Sequence, residues 1–157
     1  WYCRRHRLNF LTVADIFTPG IALGHVLGRL GCFSAGCCYG REAPAGSFWS
    51  VVYPPNPAGI APPNIPLYPV QLFESFAELV VFFILFFFRK KKRFNGEVFV
   101  LYITLYPILR IILEFFRGDK VRGYLIEGIL STSQVISILW FVLAIVLWAT
   151  LWKRKTV

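Results

Sequence analysis

Four long apolar segments constrain the fold of this chain more than any other feature of its sequence. They cover residues 8–30, 70–88, 98–116 and 129–152. About 20 apolar residues in a helix cross the hydrocarbon core of a bilayer, which is about 30 Å thick. The chain is 57% hydrophobic and 16% charged, whereas soluble domains carry about 25% charged residues. We therefore predict one polytopic domain over residues 1–157, an all-α integral membrane protein with about four transmembrane helices.

The basic residues that give the chain its net charge of +9 are concentrated in three clusters, each beside an apolar segment. The clusters occupy residues 4–7, 89–93 and 153–155. Such clusters are typical of cytoplasmic anchors and of contact with anionic membrane lipids, so nucleic acid is not expected as a partner. Their alternation around four spans predicts that residues 41–69 and 117–128 lie outside and that the C-terminus lies inside.

Residues 41–69 hold most of the ten prolines of the chain. Because proline fixes φ and lacks a backbone N–H, we predict an extended, Pro-rich extracytoplasmic loop, with a short strand within residues 47–53. The sequence contains no Met and begins with Trp1. We therefore expect that an N-terminal part of the protein is missing.

The third apolar segment carries a polar stripe formed by Arg110, Glu114 and Arg117, which Tyr106 extends by one turn. Charges at membrane depth are costly unless they are paired or face a cavity, so they usually mark function. Glu114 lies about one turn from each arginine, which predicts that it pairs with both and is not a general base. A purely structural Arg–Glu pair that holds helices together is the alternative.

A glycine-rich segment over residues 24–40 contains Arg29. Glycines allow close backbone approach, and the guanidinium fork binds phosphate through charge-assisted hydrogen bonds. Small-residue helix packing followed by a helix cap would explain the glycines equally well. Together with Arg110 and Arg117, however, the segment predicts cations that meet an anionic lipid headgroup.

Cys32, Cys37 and Cys38 allow three interpretations. Zinc is not expected, since the C-x4-C-C spacing has no CxxC pair and no matching second half. A disulfide is possible on an oxidising side, and packing beside glycines is the interpretation that we favour. A membrane thiol–disulfide oxidoreductase that uses these cysteines, or a transporter, is the alternative function.

A second polar stripe lies on the segment that begins at residue 70, at the spacing i, i+3, i+4 and i+7 of Gln71, Glu74, Ser75 and Glu78. A carboxylate here would pair with Arg29, Arg110 or Arg117, or orient a substrate, and pairing is the commoner outcome. In the last segment, Gln134 is an isolated amide of the kind that usually bridges helices.

Four blocks, in this order, resemble the prolipoprotein diacylglyceryl transferase family. GRLGCFSAGCCYG, residues 28–40, resembles the signature G-R-x-G-N-F-x-N-x-E-x-x-G, and YPVQLFE, residues 68–74, resembles H-P-x-Q-L-Y-E. Residues 105–119 are similar to the late R-x-x-x-E-x-x-R block, and residues 128–134 to the segment that opens the last span. The resemblance extends over nearly the whole chain.

The resemblance implies a bacterial inner-membrane enzyme with several spans and an active site on the periplasmic side. Such an enzyme transfers diacylglyceryl from phosphatidylglycerol to the lipobox cysteine thiol of a prolipoprotein. A thioether forms, glycerol 1-phosphate leaves, and no cofactor is implied. Arg29 and Arg110 match the catalytic arginines. The substrate-binding positions implied are Gly31, Gly40, Gln71, Glu74, Tyr106, Glu114, Arg117 and Gln134.

The chain departs from the family pattern at several positions. Cys32 stands in place of the signature Asn, Cys37 in place of the Glu, and Tyr68 where the family often has His. The family's H-G-G block, whose His is the usual candidate for thiol activation, is expected upstream of Trp1. We therefore expect that the fragment does not act alone, and the group that activates the thiol is left open.

Overall fold

Helices make up most of the computed structural model, which describes residues 1–44, 46–55, 60–118, 124–126 and 130–155. Within these residues the α-helices are α1 (Tyr2–Arg5), α2 (Phe10–Ser34), α3 (Val70–Phe88), α4 (Glu97–Glu114) and α5 (Thr132–Lys155). The strands are β1 (Val51–Val52), β2 (Pro66–Leu67), β3 (Tyr124–Ile126) and β4 (Leu130–Ser131). This mostly helical structure is consistent with the predicted all-α class.

Three helices are long and apolar enough to cross a membrane: α2, α3 and residues Ser133–Lys153 of α5. Helix α4 has 18 residues, and its charged residues Glu97, Arg110 and Glu114 lower its apolar character. A mostly helical membrane protein is therefore supported by the structure. A fourth crossing by α4 stays a prediction.

The core lies where α3 and α4 meet α2 and α5. Its buried side chains are Ala22, Val81, Leu85, Val98, Tyr102, Ile103 and Ala144. Many other apolar side chains of the helices are exposed, including Phe17, Phe87 and Leu139. An apolar exterior around a small core is typical of helices whose outer faces contact lipid.

Asp15 connects α2 to the beginning of α4 through hydrogen bonds. Its Oδ2 accepts a hydrogen bond from the backbone N–H of Gly96 at 2.8 Å, and its Oδ1 accepts one from Phe99 N–H at 3.0 Å. Lys92 Nζ lies 3.1 Å from Oδ2. A carboxylate at a helix N-terminus satisfies free N–H groups and favours the helix dipole. This contact, which we call the Asp15 junction, was not assigned from the sequence.

The segment from residue 41 to residue 69 contains the β1–β2 pair and no helix in its described part. The strands are antiparallel, with Val51 opposite Leu67 and Val52 opposite Pro66. The short strand predicted within residues 47–53 is thereby confirmed at Val51–Val52. The extracytoplasmic location of this segment stays a prediction.

Candidate functional site

Glu74 of α3 contacts three arginines from two other parts of the chain. Its Oε1 lies 2.5 Å from Arg110 Nη1 of α4 and 3.1 Å from Arg117 Nη1, just beyond α4. Its Oε2 lies 2.7 Å from Arg29 Nε of α2. We call these four residues the arginine cluster. The prediction that Glu74 pairs with arginine is confirmed, and one carboxylate joins α2, α3 and the end of α4.

The members of the arginine cluster differ in burial. The exposed fraction of the side chain is 4% for Glu74, 3% for Arg117, 9% for Arg110 and 20% for Arg29. Charges so deeply buried need partners, because desolvation costs several kcal/mol per ion. Glu74 Oε2 is buried and has no aligned hydrogen bond from the described residues, although Arg29 Nε is close. Arg29 is therefore the most exposed of the three arginines, and it pairs with one oxygen of Glu74.

Glu114 is a secondary partner in this arrangement. Its Oε2 accepts a hydrogen bond from Arg110 Nη2 at 3.2 Å, across one helical turn, and its side chain is 12% exposed. The sequence predicted that Glu114 pairs with both Arg110 and Arg117. The contact with Arg110 is confirmed, whereas the buried carboxylate that reaches Arg117 at 3.1 Å is Glu74.

Three residues of the arginine cluster, Arg29, Glu74 and Arg110, border a cavity of about 240 Å³ between α2, α3 and α4. The described residues lining it are His25, Gly28, Arg29, Cys32, Glu74, Glu78, Tyr106, Leu109, Arg110 and Leu113. A cavity lined by guanidinium groups and by the leucines suits an anionic headgroup attached to apolar chains.

His25 also borders this cavity, although it was not among the site residues predicted from the sequence. Tyr102 Oη lies 2.6 Å from His25 Nδ1, and the ring of Tyr106 lies 5.2 Å from the imidazole ring. His25 and Tyr106 also line a second cavity, of about 260 Å³, which reaches Trp140 on α5. The position of His25, one turn before Arg29 on α2, was the signal in the sequence that it shares this surface.

Comparison with known families identifies the family of this chain. A family model described as prolipoprotein diacylglyceryl transferase matches residues 1–150. The chain belongs to the prolipoprotein diacylglyceryl transferase family. The resemblance drawn from the four sequence blocks is thereby confirmed.

Curated relatives in this family are similar to nearly the whole chain. A phosphatidylglycerol–prolipoprotein diacylglyceryl transferase of Clostridium tetani is 41% identical over 147 residues, which cover 92% of this chain and 55% of the relative. The second such protein of Clostridium perfringens is 39% identical over 134 residues, covering 85% and 50%. One from Dehalococcoides mccartyi is 38% identical over 146 residues, covering 92% and 53%. The chain thus spans about half the length of the curated relatives it matches.

The two glycines proposed for substrate binding lie in different environments in this family member. A Cβ on Gly40 would lie 2.5 Å from the carbonyl oxygen of Tyr68 and 2.9 Å from that of Phe116. Gly40 N–H also donates a hydrogen bond to Tyr68 O at 3.0 Å, so this glycine joins the start of α3 to the end of α4. Gly31 is exposed, and nothing lies within 4 Å of its Cβ position. The structure does not bring these two glycines together.

The two glutamines also occupy separate places. Gln71 is fully buried, and its Nε2 donates hydrogen bonds to the carbonyl oxygen of Cys37 at 2.7 Å and to Tyr53 Oη at 3.2 Å. It therefore supports the segment that follows α2, and it is not among the described residues that line the cavity. Gln134 is half-buried in the first turn of α5 and is not among the described residues that line the cavity.

A tight turn after α2 brings Cys32, Cys37 and Cys38 together. Gly36 has φ 63°, and the N–H groups of Gly36 and Cys37 donate to the carbonyl oxygens of Phe33 at 3.2 Å and Cys32 at 3.1 Å. These two hydrogen bonds form a Schellman motif. The Sγ atoms of the three cysteines all lie within 4.8 Å of one another. We call residues 32–38 the cysteine turn, and spacing alone did not indicate this convergence.

The same environment disfavours thiol–disulfide exchange at Cys37. Burial, hydrogen bonding with Cys32 and the neighbouring thiols raise the pKa of the Cys37 thiol to about 11. Catalytic thiols of exchange enzymes have lowered pKa values, since the thiolate is the nucleophile. The alternative of a thiol–disulfide oxidoreductase is therefore not supported at this residue.

Proposed function

We propose that this chain carries the phosphate-binding half of a phosphatidylglycerol–prolipoprotein diacylglyceryl transferase. The reaction transfers the diacylglyceryl group of phosphatidylglycerol to the lipobox cysteine thiol of a prolipoprotein. The sulfur bonds to the glyceryl carbon, and glycerol 1-phosphate leaves with the electrons of the broken C–O bond. The observation that carries this proposal is the arginine cluster beside a cavity between α2, α3 and α4, in a member of this family.

The arginine cluster is suited to stabilise the leaving phosphate. Negative charge increases on the phosphate oxygen as the C–O bond breaks, and guanidinium groups already held in place stabilise that charge without reorganising. Arg110 is held by Glu74 and Glu114, whereas Arg29 faces the cavity and contacts only one oxygen of Glu74 at 2.7 Å. In this proposal Arg110 and Arg29 contact the phosphate, and Glu74 positions both of them.

The size of the cavity favours the headgroup over the whole lipid. Sites for drug-sized ligands have volumes of about 300–1,000 Å³, whereas this cavity has about 240 Å³. The phosphate and glycerol would occupy it, and the acyl chains would extend past Leu109 and Leu113 into the bilayer. We further propose that this end of α2 lies on the periplasmic side of a bacterial inner membrane and that α4 is a fourth span, which the alternation of the basic clusters supports.

The experiment that tests the proposal measures diacylglyceryl transfer from labelled phosphatidylglycerol to a lipobox peptide. The protein is the product of its complete gene, purified in lipid nanodiscs. Arg110→Ala and Arg29→Ala should each lower the transfer rate by about a hundredfold to a thousandfold, which corresponds to about 2.7–4 kcal/mol. Lysine should replace either arginine poorly, because it lacks the bidentate fork.

Arg4→Ala is the matched control, since Arg4 is exposed and lies in the basic cluster of α1. It should transfer at the rate of the unaltered protein. Normal transfer by both cavity variants, or no transfer from phosphatidylglycerol by the unaltered protein, would contradict the proposed function.

A further inference from the structure

The cysteine turn lies beside the proposed phosphate site. Cys32 lines the cavity together with Arg29, which precedes it by three residues on the same face of α2. We propose that Cys32, Cys37 and Cys38 bind a zinc ion whose fourth coordination position receives the thiol of the protein substrate. This proposal rests on the proposed function, to which it adds the group that activates the thiol.

The distances among the three sulfurs fit one metal ion. Zinc binds thiolate sulfur at about 2.3 Å in tetrahedral geometry, which places sulfurs roughly 3.8 Å apart. In the structure the three Sγ atoms lie within 4.8 Å of one another, so movements of about 1 Å would bring them to this spacing. Thiolate ligands select zinc or monovalent copper over hard cations such as magnesium.

The number of ligands distinguishes a catalytic site from a structural one. Structural zinc sites have four protein ligands, whereas catalytic sites have three and leave one position open. Within the described part of the chain, no fourth His, Cys, Asp or Glu joins the three cysteines. Zinc was not expected from the sequence because a second pair of cysteines is missing. A catalytic zinc site needs only three protein ligands, so the three cysteines are sufficient for an open site.

The backbone of the cysteine turn is held in place before any metal binds. Cys38 has φ 59°, a left-handed conformation that residues with a Cβ rarely adopt and that persists only where the surroundings impose it. Gln71 donates a hydrogen bond to the Cys37 carbonyl oxygen, and Ala61 N–H donates one to Gly36 O at 2.9 Å. Such preorganisation is expected of ligands that must meet at one point.

The chemistry needs no oxidant or reductant. On binding to zinc, the substrate thiol releases its proton to water and becomes a bound thiolate. The sulfur lone pair forms the bond to the glyceryl carbon, and the C–O electron pair leaves on glycerol 1-phosphate beside Arg29 and Arg110. The thioether product is a weaker ligand than a thiolate and therefore dissociates.

The test measures metal content and ligand geometry in the purified product of the complete gene. Mass spectrometry of the metals should find about one zinc ion per chain, and Cys32→Ser, Cys37→Ser and Cys38→Ser should each retain almost none. Cys3→Ser is the matched control and should keep its zinc, since Cys3 lies in α1, away from the turn. Arg110→Ala should keep its zinc as well while losing transfer.

Cobalt replacement tests the open position directly. The cobalt protein should show thiolate charge-transfer absorption that grows when a lipobox peptide is added, whereas a peptide with serine in place of the cysteine should leave it unchanged. Chelation should abolish transfer, and zinc but not magnesium should restore it. This reconstitution uses the unaltered protein, so it does not depend on the folding of any variant.

Several results would overturn the proposal: no metal, copper instead of zinc, a disulfide among the three cysteines in anaerobically purified protein, or a cobalt spectrum that does not respond to the peptide thiol. Failure of the proposed function would look different. Zinc and the peptide thiol would bind as described, but phosphatidylglycerol would not be consumed.

Discussion

Asp15 of α2 and Glu74 of α3 are two buried carboxylate residues, and each exposes 3% of its whole-residue surface. Their hydrogen-bonding partners, however, differ in kind. Both oxygens of Asp15 accept backbone hydrogen bonds from the start of α4, and Lys92 adds a charge contact. Glu74 contacts only arginine side chains among its described ion pairs. One of its oxygens lacks an aligned hydrogen bond, and it borders a cavity.

The comparison shows that a buried charge in a membrane helix is not by itself evidence of function. Both oxygens of Asp15 accept hydrogen bonds within the fold, so Asp15 connects α2 to α4 and has no unsatisfied oxygen that would bind a ligand. In the arginine cluster Glu74 is shared by three guanidinium groups, and Arg29, Glu74 and Arg110 border a cavity. Buried ion pairs next to a cavity are what distinguish the candidate site.

The largest expected effect is a loss of stability on removal of the Asp15 carboxylate, and it distinguishes Asp15 from Glu74. Asp15→Ala should lower the free energy of unfolding by about 2–5 kcal/mol, because each buried N–H left unpaired costs about 1–3 kcal/mol. Transfer per folded molecule should stay normal. Unfolding in detergent measures the loss, and Glu42→Ala, at an exposed carboxylate, is the control. Reduced transfer at unchanged stability would remove the distinction between the two regions.

The next effect is on the rate of transfer, and the same change of carboxylate to amide is made at Glu74 and at Asp15. Glu74→Gln should lower the rate of transfer by about a hundredfold, since a misplacement of about 1 Å in a positioned group has effects of that size. Asp15→Asn is the matched control and should change stability more than rate. If Glu74→Gln keeps full activity and loses only stability, Glu74 is as purely structural as Asp15.

The smallest effect is expected at Glu114, which is more exposed than Glu74 and makes one hydrogen bond to Arg110. Glu114→Gln should lower transfer by up to about tenfold, because one hydrogen bond contributes about 0.5–1.5 kcal/mol. Glu114→Ala should lower both yield and transfer. A Glu114→Gln protein that folds normally yet is as inactive as Arg110→Ala would show that the chemistry needs the charge of this carboxylate.

The helices were largely predictable because their signals are local. The apolar segment over residues 70–88 coincides with α3 (Val70–Phe88), and the stripe of Arg110 and Glu114 lies on one side of α4 as the helical repeat requires. Helix α2 continues to Ser34, four residues beyond the predicted end, since the Schellman motif at Gly36 and not the loss of apolar residues ends it. The role of Asp15 was not predictable, because its partners are about 80 residues away along the chain.

The sequence by itself determined the membrane class, the family and the two arginines on which the proposed chemistry depends, since apolar length, helical repeat and ordered motifs are properties of short segments. Only the tertiary structure decided that Glu74 is the partner shared by Arg29, Arg110 and Arg117, and that three cysteine sulfurs meet beside them. The physical reason is distance along the chain. Residues on α2, α3 and α4 meet only when the helices pack, and the cysteines meet only when Gly36 and Cys38 adopt left-handed backbone angles.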